Sequence, residues 1–377
     1  MLSQFCQFLF CSLRRKSLGK QFSFLTWVVL ARLTQLGLYD DVIYTLRSVH
    51  FSHVWRSSIT RFSDFTQEAA VAQMSSSSQP AKPSLLILGA RGFLGRSVAT
   101  AAAARFNVLR ADRTAGERST DIVVDITDAN VVEQTIREIQ PKAVVLLAAI
   151  SDIDLCERQP ERAAAVNVQG VAHVARACAA TGTRLLFTSS GAVFDGKKIG
   201  YCEEDPVSPL SVYGRSKADA ENVVLETLPD AIVLRVSLVL GRTGLTTTNS
   251  VVDTLVRRWQ AGEIVRASTL ECRNPIDAAT LATWIIELLP NPEARGLIHT
   301  GSTHAWTRYQ IATALATRLG VPEVQLLPEE TTSPARALRG VHQLLLTDKI
   351  ARLCTTQPPT IEEVVERSLR EPAESHQ

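Results

Sequence analysis

Tyr213 and Lys217 stand four residues apart in Tyr213-Gly214-Arg215-Ser216-Lys217. The segment reads as helix, so the two side chains share one face. A phenol ordinarily releases its proton near pH ~10, too high for work at neutrality. An ammonium one turn away favours the phenolate, and a shift of about three units would amount to roughly 4 kcal/mol. Upstream, Ser189-Ser190 ends the apolar run Leu185-Leu186-Phe187. A hydroxyl at that strand end is placed to hydrogen-bond a substrate oxygen while Tyr213 exchanges a proton with it. Taken singly, each residue has a plainer reading. A Tyr and a Lys at this spacing decorate many solvated helices, and a strand-end Ser commonly bonds nearby backbone. The argument rests on their order along the chain.

A second constellation precedes them. Ser84-Leu85-Leu86-Ile87-Leu88 is a short apolar run that stops at Gly89, Gly92 and Gly95, and a helix-like segment, Arg96 to Ala104, follows at once. Glycines there remove Cβ atoms where backbone must turn tightly, and the free N–H groups of a helix start attract an anion. The motif suits the pyrophosphate of a dinucleotide, although a glycine triplet alone also fits a tight turn with no ligand. With a nicotinamide seated over that turn, hydride would pass to or from the cofactor, which supplies the difficult chemistry.

Positioning these groups calls for alternating strands and helices, as in a parallel sheet covered on both faces. Strands are predicted at Leu85–Leu88, Val108–Arg110, Ile122–Val124, Val144–Leu147, Leu185–Thr188 and Ile232–Val236. Helices are predicted at Val131–Ile139, Ala163–Ala180, Val212–Leu228, Val251–Gln260, Thr280–Leu289, Tyr309–Leu319 and Ile361–Leu369, with a loop over Thr246–Ser250. The fold class is therefore α/β, a Rossmann-type doubly wound parallel sheet with a small C-terminal substrate lobe, binding at the carboxyl ends of its strands. Residues 83–241 would form the dinucleotide-binding core, and residues 242–377 mainly the lobe with returns to the core.

The chain resembles the extended short-chain dehydrogenase/reductase family, and within it the dTDP-4-dehydrorhamnose reductase-like branch. The likeness is carried by Gly89-Ala90-Arg91-Gly92-Phe93-Leu94-Gly95, Val166-Asn167-Val168-Gln169-Gly170, Val193-Phe194-Asp195-Gly196, Glu203-Glu204-Asp205-Pro206, Pro209 to Lys217, and Gly296-Leu297-Ile298-His299-Thr300. It runs from about Ser84 to Arg370. The resemblance implies Ser190, Tyr213 and Lys217 as catalytic residues, with Tyr213 and Lys217 also touching the cofactor. It implies that Gly89, Arg91, Gly92, Phe93, Leu94 and Gly95 meet the pyrophosphate, Asp112 the adenosine ribose, Asp125 and Ile126 the adenine, and Ala148 and Ala149 the cofactor's flank. It also implies that Asn167 stiffens the backbone beside the site. An acid at Asp112 accepts hydrogen bonds from ribose hydroxyls and repels a 2′-phosphate, which leans toward NAD. Any of Arg91, Arg110 and Arg113 could neutralise that phosphate, so NADP stays open.

Within the family, nucleotide-sugar dehydratases usually carry an Asp-Glu pair directly after the catalytic Ser or Thr, and rhamnose reductases an Asp-Tyr pair. This chain has Gly191-Ala192, which transfer no protons and disfavour elimination. Reduction or epimerisation of a nucleotide-linked keto-sugar is the implied activity. The branch also holds methionine adenosyltransferase regulatory β subunits, which bind dinucleotide and act on the catalytic subunit instead of a sugar; that role is the alternative. Arg235, Arg257, Arg258, Arg336 and Arg339 are candidate partners for a substrate diphosphate, and a homodimer through the Tyr–Lys helix is common in the family.

The chain has 377 residues and a net charge of +2, with no basic stripe in the folded region, which argues against nucleic acid as a partner. Its seven cysteines are irregularly spaced with no CxxC pair, fitting reduced thiols and a cytoplasmic setting. Cys156 would lie in a loop near the mouth of the site or be an inert buried thiol. The seven histidines are scattered, so no metal is expected, and His299 reads as buried in a strand. Residues 1–82 form an N-terminal extension outside the pattern. Their first part is basic and acid-poor, as in a mitochondrial transit segment; a start at Met74 would instead leave residues 1–73 untranslated. The apolar run Phe22–Leu30 is too short for a bilayer span, which needs about 20 residues, so no membrane insertion is expected.

Overall fold

The computed structural model describes residues 82–116, 121–243, 250–330 and 336–370. The expectations for the N-terminal extension up to Ala81 and for the loop Thr246–Asn249 lie outside these residues. Seven strands make one sheet: β1 (Ser84–Leu88), β2 (Asn107–Asp112), β3 (Ile122–Val123), β4 (Ala143–Leu146), β5 (Arg184–Ser190), β6 (Ile232–Val236) and β7 (Gly296–Thr300). Their order is β3-β2-β1-β4-β5-β6-β7, and every neighbouring pair is parallel. The order reverses between β1 and β4, which opens a crevice at the carboxyl ends of those strands. Continuous apolar strands follow from this burial on both faces; Leu85, Leu86 and Ile87 are wholly inaccessible.

Helices α1 (Phe93–Ala102), α2 (Ala129–Ile139), α3 (Ile153–Arg158), α4 (Pro160–Ala164), α5 (Val171–Thr181), α6 (Val212–Thr227), α7 (Val251–Gln260), α8 (Ala278–Leu288), α9 (Arg308–Leu319), α10 (Asp348–Leu353) and α11 (Ile361–Ser368) follow in chain order. On one face of the sheet, Val98, Ala102, Leu281, Trp284, Ile285 and Ile350 pack onto Leu85, Ile87 and Leu234. On the other, residues of α2, α5 and α6 cover Leu86, Leu88, Leu146 and Phe187. A separate core joins α7, α9 and α11 through Val256, Trp259, Leu315 and Val364. Polar caps set several of the starts: Asp128 for α2, Ser211 for α6, Asp277 for α8, and full capping boxes at Thr307 and Thr360.

One expected element differs. The helix predicted over Ala163–Ala180 is interrupted by a π-helical turn, Ala165–Gly170, between α4 and α5. Such turns are common at functional sites, and this one aims Asn167 at the loop after β4, as described below. The tract after Gly241 returns to the core as the fold class requires, since α8 and β7 belong to the main sheet layers. Among the described residues no helix is long and apolar enough to cross a membrane.

Candidate active site

The turn after β1 is built by geometry that only glycine allows. Gly89 has φ +90, and a Cβ on Gly95 would lie 2.2 Å from the Gly89 carbonyl oxygen. Gly92 begins α1 with no side-chain cap, and the first turn carries no acid. The N–H groups of that turn and the positive end of the helix dipole are thus left for an external anion.

Across the crevice, three consecutive residues at the end of β5 meet three rungs of α6. Lys217 Nζ donates to the Thr188 carbonyl at 3.0 Å. The Ser189 hydroxyl donates to the Glu221 carboxylate. The Ser190 hydroxyl is hydrogen-bonded to the Tyr213 phenol and accepts from Ala192 N at 3.2 Å. Ser211 Oγ accepts from Gly214 N at 3.1 Å, which starts the helix just ahead of Tyr213. Asn167 holds the opposing loop: its Oδ1 accepts from Ile150 N at 2.9 Å, and its Nδ2 donates to Ile150 O at 3.0 Å and to Ser216 Oγ at 3.2 Å.

Thr188, Ser189, Ser190, Ser211, Tyr213 and Lys217 line one cleft of about 1080 Å³. Its walls include Gly89, Gly92, Phe93, Leu94 and Gly95 from the turn, then Asp112, Asp125, Ile126, Ala148 and Ala149, and finally Ser190, Tyr213 and Lys217. Asp112 accepts from Arg113 N at 2.9 Å and Arg91 N at 3.2 Å. Asp125 is closed into a turn by the Thr127 hydroxyl and amide, which hold its carboxyl below the usual carboxylate range. Arg91 is the exception among the expected residues. Its guanidinium folds back onto Ala115 O and onto Thr114 Oγ1 at 2.6 Å, and stands 4.0 Å from Asp112, so its side chain is not part of the cleft wall.

The electrostatics differ from what the Tyr–Lys spacing predicts. Burial pushes the Tyr213 phenol up to about 12, against the lowering hydrogen bond with Ser190. Burial brings the Lys217 ammonium down to about 8, opposed by the Glu221 carboxylate. Desolvation wins in both cases because both groups are buried: the phenol packs beside Cys156 and Ala163, and the hydrogen bond of Nζ to Thr188 O and its place 4.8 Å from the Phe187 ring centroid favour the ammonium without offsetting its burial. The Tyr213 phenol is therefore protonated at neutrality. Cys156 lies within α3 and is fully buried, with its thiol also pushed up by burial.

The far end of the cleft is basic. Arg273, Arg308, Arg336 and Arg339 all line it, partnered by two carboxylates: Glu271, 3.3 Å from Arg273, and Asp154, 2.9 Å from Arg339. Burial holds Arg308 below the usual arginine range; Glu271 opposes that, and the charges of Arg336 and Arg339 add to it. The sequence reading selects Arg336 and Arg339 and misses Arg273 and Arg308. A cation at the first position of α9 opposes the helix dipole, and that anomaly is the signal that points to Arg308. Arg235, Arg257 and Arg258 stay off the cleft wall. Arg235 is ion-paired with Glu221 in the core, Arg258 pairs with Glu263, and Arg257 bonds Thr254 on its own helix.

Comparison with known proteins adds relatives to this geometry. Residues 83–373 match the family model described as RmlD substrate binding domain. The chain is 30% identical over 289 residues to dTDP-4-dehydrorhamnose reductase of Aggregatibacter actinomycetemcomitans, covering 73% of this chain and 94% of that protein. It is 31% identical over 209 residues to methionine adenosyltransferase 2 subunit beta of Pongo abelii, covering 54% of this chain and 63% of the subunit. This chain thus spans less than two thirds of the subunit's length. Among solved structures, dTDP-4-dehydrorhamnose reductase from Bacillus anthracis in complex with NADP superposes with a TM-score of 0.70 at 25% identity, over 76% of this chain and 98% of that one.

Proposed function

The chain belongs to the RmlD substrate binding domain family, and from that premise we propose that it is a nicotinamide-dinucleotide-dependent reductase of a nucleotide-linked keto-sugar. The carrying observation is the convergence of Ser190, Tyr213 and Lys217 on one cleft between a glycine-lined helix start and a cluster of four arginines. The residues fit a dinucleotide. The uncapped start of α1 suits a pyrophosphate, the Asp112 carboxylate suits ribose hydroxyls, and Ala148 and Ala149 leave room beside them. Residues 83–241 supply this half of the cleft, and residues 242–377 most of the substrate half.

The bound dinucleotide supplies hydride. Tyr213, neutral at pH 7, gives its proton to the carbonyl oxygen as the carbon is reduced, and the Ser190 hydroxyl hydrogen-bonds the same oxygen. The Lys217 ammonium holds the nicotinamide ribose and favours the phenolate left behind. Arg273, Arg308, Arg336 and Arg339 form the site for the substrate diphosphate, where bidentate guanidinium contacts are strong. Asp112 favours NAD over NADP.

The similarity to methionine adenosyltransferase 2 subunit beta supports a second reading, a dinucleotide-binding regulatory subunit of that enzyme. One experiment separates the two. The full chain is incubated with NADH or NADPH and a panel of nucleotide-linked keto-sugars, reading nicotinamide absorbance, and is separately mixed with a methionine adenosyltransferase catalytic subunit on a sizing column. Turnover supports the reductase; a stable complex without turnover replaces it with the regulatory role. Epimerisation would appear as interconversion of sugars without net loss of the reduced dinucleotide.

A further inference from the structure

Tyr213, Lys217 and Glu221 recur every four residues on the buried face of α6. The first two belong to the reductase reading; the third has no part in it. Glu221 is 3% exposed, and each oxygen of its carboxylate is occupied. Oε1 takes the Ser189 hydroxyl and Arg235 Nε at 3.0 Å, and Oε2 takes Arg235 Nη2 at 2.7 Å. Ser189, Arg235 and His299 are register partners across β5, β6 and β7, so a polar row crosses these three strands. Arg235 also reaches His299 Nε2 at 3.3 Å and Glu203 O at 3.4 Å, and its guanidinium lies 5.0 Å from the Phe194 ring centroid.

A buried ion pair is a poor source of stability, because desolvating two charges offsets most of their attraction. Well-packed apolar side chains would serve the fold as well. The pair's position suggests what else it does. Its acid stands one helical turn beyond Lys217, and its partner Ser189 lies between the strand residues that contact Lys217 and Tyr213.

We propose that Glu221 is a positioning residue for Lys217: held in place by Arg235 and Ser189, it supplies the buried counter-charge to the ammonium that stands beside Tyr213. The groups facing Lys217 are Tyr213 and Glu221 on α6, Cys156 on α3, and the Thr188 carbonyl and Phe187 ring on β5. Glu221 is the carboxylate among them, and it opposes the desolvation of the ammonium. Arg235 and Ser189 keep that carboxylate from rotating away and leave its charge in place. The assignment rests on the reading of Lys217 as part of the reaction site, but its test does not need turnover.

The test measures competitive acetylation of Lys217 in the full chain from pH 6 to pH 11, quantified by mass spectrometry of the peptide that contains it. Glu221→Gln keeps the shape and removes the charge, and Lys217 is expected to titrate at least about one pH unit lower than in the parent. Glu221→Asp restores the charge and is expected to return the titration toward that of the parent. If Glu221→Gln fails to fold because Arg235 is left unpaired, the double variant Glu221→Gln, Arg235→Met is measured instead, with a smaller downward shift expected because the guanidinium charge goes with the carboxylate. A Lys217 titration unmoved in the folded variant without the carboxylate overturns the proposal, as does Glu221→Asp behaving like Glu221→Gln. The labelling reads Lys217 whether or not the chain reduces a sugar, so failure here and failure of the reductase reading are separate results.

Discussion

Tyr213 and Lys217 feel the same burial with opposite consequences, because desolvation penalises whichever form is charged. The phenol is held protonated, and the ammonium is brought within reach of neutrality. On the proposed mechanism Tyr213→Phe removes the transferable proton along with the phenol's hydrogen bond to Ser190 and leaves the ring in place. Turnover is expected to fall by at least about a thousandfold, within the usual span for a general acid, with dinucleotide affinity within a few-fold by fluorescence titration. The pH dependence follows from Lys217. Its charged form is the one that binds, and it is lost as pH rises through about 8. Dinucleotide affinity is therefore expected to hold below that pH and decline above it, and Lys217→Met should abolish the break. Asp112→Ala removes the acid at the end of β2, and the ratio of NADP to NAD affinity should rise at least about fivefold. An unchanged ratio would assign the preference to Arg113, which lines the same end of the cleft.

At the scale of elements, the site depends on how closely α1 approaches β1. A Cβ at position 95 would meet the Gly89 carbonyl at 2.2 Å and the Ala90 Cα at 2.7 Å, both backbone atoms that cannot move without shifting the turn. Gly95→Ala is expected to weaken dinucleotide binding at least about tenfold, roughly 1.4 kcal/mol, measured by the same titration; full affinity would show that the turn does not shape the binding surface. The strands Ile232–Val236 and Leu85–Leu88 were legible to within a residue, since a buried strand is a local apolar run bounded by turn residues. The π-helical turn at Ala165–Gly170 was not legible, because its alanines and valines suit an uninterrupted α-helix equally well. The outward face of α6 carries Arg215, Asp219, Asn222 and Glu226, so a homodimer through this helix would have a polar seam there.

For the whole molecule, the row Ser189, Arg235 and His299 ties three strands to α6 and to the segment after β5. His299 is wholly buried, and burial, together with the neighbouring Arg235 charge, brings its imidazole down to about 3 from an ordinary 6.5. The native state keeps it neutral, whereas the unfolded chain protonates below about pH 6.5. The stabilisation is thus present above that pH and is lost as pH falls from 6.5 toward 3, at about 1.4 kcal/mol per unit at most. Denaturant unfolding at pH 7 and pH 5 should show this slope, and His299→Gln should flatten it whatever its effect at pH 7. Equal slopes in the parent and the variant would remove His299 from the acid response.

Read alone, the residue order determined the strand–glycine–helix turn, the Tyr–Lys face and the alternation that makes a parallel sheet. All three are local, set by spacings of three to five residues and by where apolar runs stop. Which charges share the cleft was decided only by the tertiary structure. Arg273 and Arg308 reach it from separate elements far apart in sequence from the Tyr–Lys helix, Arg235 is drawn into the core by Glu221, and Arg91 folds back onto its own neighbourhood. The same holds for the state of the phenol, because desolvation depends on what packs around a group and the four-residue spacing to Lys217 does not record it.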